Sequence, residues 1–275
     1  MSIKPLVKFA SKSFTLPDTC VNLRAALDDP KKDLSDIAQL ISVDPSLSAK
    51  ILKLANSALF RFPSQIETVT KALNVIGGEA AYNISIAETA NIAFKTFNTP
   101  VINFAEYWHK AVMCGVIAKS IAQQKQSRGS ERFFVLGILQ GLSELIVASK
   151  HTESYTKYIN DQSFVAPLAK QQRHFGLTFP ECSGHIIQEW KLPDSLVLPL
   201  QKLLHPASQK MSLEESILYV AMSMVACESI EGELEDMASF NQQALETVGL
   251  SDEDYDMILS YSRLETSKIA NVINS

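Results

Sequence analysis

Side chains able to bind a metal or activate a nucleophile are few in this sequence, and their spacing matches no common site. The five histidines are His109, His151, His174, His185 and His205. None precedes an aspartate, and no glycine-rich phosphate loop, Gly-x-Ser-x-Gly turn or Cys/His nucleophile pair occurs. The middle three histidines have no partner at ligand spacing, so we predict surface or helix-capping roles for them.

The cysteines are also too far apart to form a zinc site. They are Cys20, Cys114, Cys182 and Cys227, with no Cys-x-x-Cys pair among them. Free cysteines of this kind are most often small buried hydrophobic residues in a reducing compartment. We therefore predict no disulfide framework and no zinc knuckle.

The overall charge argues against nucleic acid as a partner. The formal net charge is −5 and the isoelectric point is near 5.6, whereas phosphate binding requires a basic face. The amino terminus has no apolar run typical of a signal peptide. The longest apolar-leaning stretch, around residues 217–227, is far shorter than the about 20 residues that span a bilayer. We expect a cytoplasmic protein that binds neither nucleic acid nor membrane.

The elements that must position any site are predicted to be helices throughout. No segment alternates with a period of two, and apolar residues recur at helical spacing. The first predicted helix begins at Asp18 or Thr19. Longer helices are predicted over residues 104–124 and 131–150, the second without interruption. Composition and periodicity together indicate an all-α, multi-helical fold.

Two helix starts carry strong local signals. Asp44 is a good N-cap, and Pro45 occupies the first helical position, where its missing N–H is no loss. Ser212 and Glu215 form a capping box. An N-cap is the simplest role for Asp44; contact with a partner would require an exposed carboxylate.

A polar pair and an aromatic loop follow the helix that Asp44 begins. Asn56 and Ser57 either close that helix by bonding backbone groups or form a polar seam against another helix. Phe60 lies in a predicted aromatic loop, residues 59–64, that either folds back onto the core or forms a docking surface. The structural interpretation is favoured for both features.

These segments together resemble the HDOD domain (HD-related output domain) of bacterial signalling proteins. The resemblance covers residues 10–210, and residues 211–275 form a C-terminal helical extension that we expect to pack on the same body. It implies an HD-domain-like helical bundle. The segments that carry it are residues 16–17, 44–47, 51–58, 72–77, 134–142 and 190–193, together with Phe60 and Trp108.

The resemblance also implies where a metal site would lie. Active members of the HD phosphohydrolase superfamily hold divalent metal with a lone His, a His-Asp doublet and a distal Asp. His109 falls at the lone His, Gln140 and Gly141 at the doublet, and Met222 at the distal Asp. Of a later histidine pair only His205 remains. An amide is a poor ligand and a thioether does not suit Mg²⁺, so we expect no metal, no cofactor and no catalytic residue.

The resulting hypothesis is a non-catalytic signal-transduction module that regulates by binding a signalling protein. One alternative is a divergent HD-type phosphohydrolase acting on a nucleotide or phosphoester, with metal around His109. Another is a pocket that senses a nucleotide without cleaving it, with His109, Gln140 and His205 converging on an enclosed cavity.

Overall fold

The all-α prediction is confirmed by the computed structural model of the chain, in which the described residues form helices and no strand. The described residues are 1–60, 62–161, 163, 166–203, 211–229 and 241–274.

The helices run in chain order as follows: α1 Ile3–Ser13, α2 Asp18–Asp28, α3 Leu34–Ser42, α4 Pro45–Ala55, α5 Val69–Ile76, α6 Gly78–Thr96, α7 Phe104–Gln124, α8 Glu131–Leu139, α9 Leu142–Lys150, α10 Thr152–Ile159, α11 Pro167–Phe175, α12 Phe179–Glu189, α13 Asp194–Gln201, α14 Leu213–Ser229, α15 Gln242–Val248 and α16 Asp252–Asn274.

The predicted caps form as the local sequence requires. The Asp44 carboxylate accepts a hydrogen bond from the Leu47 N–H at 3.0 Å, which satisfies one donor of the first turn of α4. At the start of α14, the Ser212 N–H donates to Glu215 Oε2 at 3.1 Å, and the Glu215 N–H donates to Ser212 Oγ at 3.3 Å. These reciprocal bonds form the predicted capping box.

Helix α7 lies at the centre of the bundle, in contact with α8, α14 and α16. Its contact with α8 is a backbone-to-backbone approach. A Cβ atom added to Gly137 would lie 2.5 Å from the Cα atom of Gly115. Because a Cβ atom has no room at that distance, glycine allows these two helices to pack this closely.

The C-terminal helix α16 is also joined to this body by specific bonds. Trp108 Nε1, on α7, donates to the Ala270 carbonyl at 3.2 Å. The Tyr261 hydroxyl donates to the Ala58 carbonyl at 2.9 Å, in the loop after α4. α16 therefore touches two separate parts of the domain.

The prediction that α8 and α9 form one helix is wrong, because the helix breaks at Gln140 and Gly141. Neighbouring side chains satisfy the backbone groups at the break. The Ser143 N–H donates to Ser183 Oγ at 2.9 Å, and that hydroxyl donates to the Gln140 carbonyl at 3.1 Å. The Tyr107 hydroxyl donates to the Gly141 carbonyl. The break is thus held by residues distant in sequence.

The segment Glu131–Lys150, which contains this break, is long and apolar enough to cross a membrane by composition alone. In the fold, however, 78% of its most apolar window is buried by other helices. Its apolarity is therefore explained by its place in the core.

Candidate functional site

A cavity of about 480 Å³ lies where α7, the α8–α9 break, α10, α11 and α14 meet. Gln140, at the break, and Met222, on α14, both line it. The structure thus brings together two positions that the resemblance assigns to the former metal site.

The α7 wall of the cavity explains where His109 lies. Tyr107, Lys110, Ala111 and Cys114 line the cavity, at the spacing of residues that share one helix face. His109 is absent from that face. Its Nε2 atom instead lies 3.3 Å from Ser267 Oγ on α16. The structure therefore separates His109 from Gln140 and Met222.

Glu144, on α9, also lines the cavity, and it was not among the residues predicted from the sequence. The Tyr155 hydroxyl donates to its Oε1 atom at 2.8 Å. Burial raises the pKa of Glu144 to about 7, while the bond from Tyr155 and the charge of Lys110 partly oppose this rise. A signal was present in the sequence, since Glu144 is the only charged residue in residues 133–149.

Three tyrosines surround this carboxyl group. Burial is the largest cause that raises the pKa values of Tyr107, Tyr155 and Tyr158, and the charge of Glu144 adds to the rise. All three phenols are therefore neutral near pH 7. The ring centroids of Tyr155 and Tyr158 are 5.8 Å apart, with 42° between their planes. The part of the cavity wall formed by Glu144 and these tyrosines is thus aromatic, with one acidic group.

The outer part of the cavity carries an ion pair. Lys110 Nζ lies 2.7 Å from Glu106 Oε1, one turn earlier on α7. The hydrogen bond and the charge of Lys110 lower the pKa of Glu106. Because both side chains are substantially exposed, this pair contributes little to stability. Its consequence for the cavity is that the ammonium group already has a carboxylate partner.

The sequence comparison decides which family this architecture represents. The HDOD domain matches residues 14–205, which is more than half of the chain. The chain belongs to the HDOD domain family. A curated relative is an uncharacterized protein of Treponema pallidum (strain Nichols), 23% identical over 188 residues. The match covers 66% of this chain and 36% of that protein, so this chain spans well under two thirds of the relative's length.

Solved structures share this HDOD fold across nearly the whole chain. An HDOD domain protein with unknown function from Geobacter sulfurreducens has a TM-score of 0.70 at 18% identity, covering 100% of this chain and 99% of its own. A "Putative phosphohydrolase" from Shewanella amazonensis SB2B has a TM-score of 0.72 at 19% identity, covering 98% of both. A "Putative signal transduction protein" from Marinobacter aquaeolei VT8 has a TM-score of 0.70 at 17% identity, covering 96% of this chain and 60% of its own.

The residues of this HDOD domain do not fit the divalent metal of HD phosphohydrolases. Gln140 offers a single neutral amide, which is a poor substitute for an imidazole or a carboxylate, and Met222 offers a thioether, which does not suit a hard divalent cation. Gly141 offers no side chain, and its backbone packs against Tyr107, whose hydroxyl would lie 2.6 Å from an added Cβ atom. Among the residues that the structure describes, no three His, Cys, Asp or Glu side chains are grouped to hold a metal. His205 lies outside the described residues.

The second group of sequence candidates has local structural partners in the HDOD domain. Asn56 Nδ2 donates to the Leu52 and Ile66 carbonyls, and its Oδ1 accepts from the Ile66 N–H, each at 2.8 Å. Ser57 Oγ donates to the Leu54 carbonyl at 2.6 Å. These bonds close α4 and fix the loop that precedes α5.

The aromatic loop after α4 folds back onto the core at Phe60. Phe60 is half-buried against the core, and Lys119 Nζ lies 3.9 Å from the centre of its ring. The same ammonium donates to the Leu59 carbonyl at 2.8 Å. Pro45, in turn, occupies the first position of α4. None of these residues lines the cavity.

Proposed function

We propose that this HDOD protein is a non-catalytic, cytoplasmic module of bacterial signal transduction that regulates by binding a signalling protein. Its family and the name of the Marinobacter neighbour support a signalling role. The observation that carries the proposal is the side-chain set at the positions that the family resemblance assigns to a metal site. Gln140 and Met222 line the cavity, and no histidine or aspartate of the described residues lines it with them.

Catalysis in the HD superfamily depends on the residues that this chain replaces. Imidazole and carboxylate ligands hold the metal, and the metal supplies hydroxide near neutral pH. The cavity does contain Glu106 and Glu144, but two carboxylates, one of them already bonded to Lys110, are fewer than the three protein ligands typical of a catalytic metal. The side chains of the cavity therefore favour a non-catalytic protein over a phosphohydrolase.

Metal retention and phosphoesterase activity test the non-catalytic part. The full-length protein would be incubated with Mn²⁺, Fe²⁺, Zn²⁺ or Mg²⁺, desalted and subjected to elemental analysis and to assays with p-nitrophenyl phosphate and its diester. We expect far less than about one metal equivalent per chain and the same background hydrolysis in the wild type and Glu144→Gln. A full equivalent that is lost in Glu144→Gln or His109→Ala, together with turnover, would contradict the proposal.

Capture of a partner tests the binding part. The tagged full-length protein would be expressed in its native bacterium, and the candidate partner would then be purified and mixed with this protein. We expect a defined complex that re-forms from the two pure proteins and that Met222→Ala leaves intact. A protein that forms no such complex yet hydrolyses a phosphoester would favour the enzymatic alternative.

A further inference from the structure

Glu144 presents an unused hydrogen-bond acceptor to the cavity. Its Oε1 atom accepts from the Tyr155 hydroxyl, and no other described side chain donates a hydrogen bond to this carboxyl group. The residue keeps partial exposure, although it lies on an otherwise buried stretch of α9. A carboxylate in such a site is stabilised strongly by a cation or an N–H donor that replaces the lost water.

The charged groups that face Glu144 determine which ligand charge the cavity favours. From α7 come Glu106, Lys110 and the neutral Tyr107, and from α10 come the neutral Tyr155 and Tyr158. The α11 and α14 walls contribute Gln171, Met222 and other uncharged side chains. With Glu144 ionised, two carboxylates therefore face a single ammonium, which is itself bonded to Glu106.

The remaining wall suits the body of a small organic molecule. Aliphatic side chains of Ile102, Ile159 and Met222 line it together with the rings of Tyr155 and Tyr158. Aromatic faces attract ammonium and guanidinium groups through the ring quadrupole. A volume of about 480 Å³ lies within the range of small-molecule sites.

We propose that this cavity binds a small organic cation, an amine or guanidinium compound whose N–H group donates to Glu144 while its apolar body packs against Tyr155 and Tyr158. The net negative wall disfavours the phosphate groups of a nucleotide, and His109, one of the expected polar groups, lies outside the cavity. The proposal goes beyond partner binding and does not depend on it, because it concerns a separate ligand.

Matched probe compounds test the proposal by isothermal titration calorimetry on the full-length protein. Tyramine and agmatine are the cationic probes. Tyrosol has the shape of tyramine with a hydroxyl in place of the ammonium, and AMP is the anionic probe. We expect tyramine or agmatine to bind, and tyrosol and AMP to bind about tenfold or more weakly than the better amine, because they lack the charge-assisted bond.

Two variants and one control locate the site. Glu144→Gln should weaken amine binding about tenfold or more, and Ala226→Trp should abolish it by filling the cavity at a partly exposed position of α14. Glu67→Gln removes the same charge from an exposed position and should leave affinity unchanged. Far-UV circular dichroism checks that each variant is folded.

The pH dependence provides an independent readout. Because burial raises the pKa of Glu144 to about 7, a cation binds with release of the Glu144 proton at lower pH. Amine affinity should therefore fall about tenfold from pH 8 to pH 6 in the wild type and stay nearly constant in Glu144→Gln. The proposal is overturned if neither amine binds at millimolar concentration, if tyrosol or AMP binds as tightly as the better amine, or if Glu144→Gln has no effect.

Discussion

At the scale of single residues, the polar side chains at the two ends of α4 bond mainly to the backbone. Asn56 and Asp44 both bond main-chain groups that would otherwise lack partners. Glu144 is different, because its single described donor is a side chain and the residue lines a cavity. A polar residue beside apolar residues in the sequence can therefore either bond the backbone or line a cavity, and only the folded structure distinguishes the two roles.

Removal of the Asn56 amide should destabilise the fold without changing its cavity. Asn56→Ala loses two hydrogen bonds that join the end of α4 to Ile66 and one to the Leu52 carbonyl within α4, and we expect a loss of about 1–2 kcal/mol in unfolding free energy. Lys53→Ala, at an exposed position of the same helix, should change it by less than about 0.5 kcal/mol. Urea denaturation measures both. Equal losses of unfolding free energy in the two variants would show that the hydrogen bonds of the Asn56 side chain contribute no specific stability.

Glu144 should make stability depend on pH. Its folded pKa of about 7 lies above its ordinary value of 4.5, so the native state binds more protons than the unfolded state between these values. Stability contributed by the protonated group is therefore present at low pH and is lost as pH rises towards 7. The difference in unfolding free energy between Glu144→Gln and the wild type should therefore change in favour of the variant from pH 5 to pH 8. Parallel curves for the wild type, Glu144→Gln and Glu67→Gln would contradict this assignment.

At the scale of elements, local chemistry predicted where many helices begin. The Asp44 cap and the Ser212–Glu215 capping box act within one turn, so their effects are readable from adjacent residues. The α8–α9 break was not readable, because Ser183 and Tyr107 that satisfy it come from other helices. Helix α1 was also missed, since its burial depends on packing against α12.

The crossing of α7 and α8 should not tolerate a methyl group. In Gly137→Ala, the new Cβ atom would meet the Gly115 backbone at 2.5 Å, and we expect a loss of about 3 kcal/mol or more in unfolding free energy. Gly78→Ala is a suitable control, because its Cβ atom would meet mainly the movable end of the Leu27 side chain. Thermal unfolding compares the two variants. A Gly137→Ala protein as stable as the control would mean that the helices can separate freely.

At the scale of the whole molecule, the sequence led to the family and to part of the cavity wall. Gln140 and Met222 were placed together by resemblance, and the structure puts both on one cavity. His109 was assigned to the same site, but a helix turns about 100° per residue, and the adjacent Lys110 faces the cavity instead. Tyr155 and Tyr158 were not found, because only the folded path of α10 brings them to Glu144.

The last long helix should unfold together with the rest of the domain. Ile269 on α16 is fully buried, whereas Leu264 on the same helix is 69% exposed. Ile269→Ala should lower the unfolding free energy by about 2–4 kcal/mol, and Leu264→Ala should leave it nearly unchanged. A Trp108→Phe background leaves Trp190 as the single tryptophan, and Trp190 packs against Phe14, far along the chain from α16.

The Trp190 fluorescence then reports whether the C-terminal extension and the domain form one cooperative unit. Since α16 packs against α7 and the Tyr261 hydroxyl bonds the loop after α4, and both contacts remain in the Trp108→Phe background, we expect Ile269→Ala to shift the Trp190 transition and the circular dichroism transition by the same amount. A shift in circular dichroism alone, with Trp190 unfolding as in the Leu264→Ala control, would mean that α16 unfolds independently. The C-terminal extension would then be a separate unit rather than part of the body that forms the cavity.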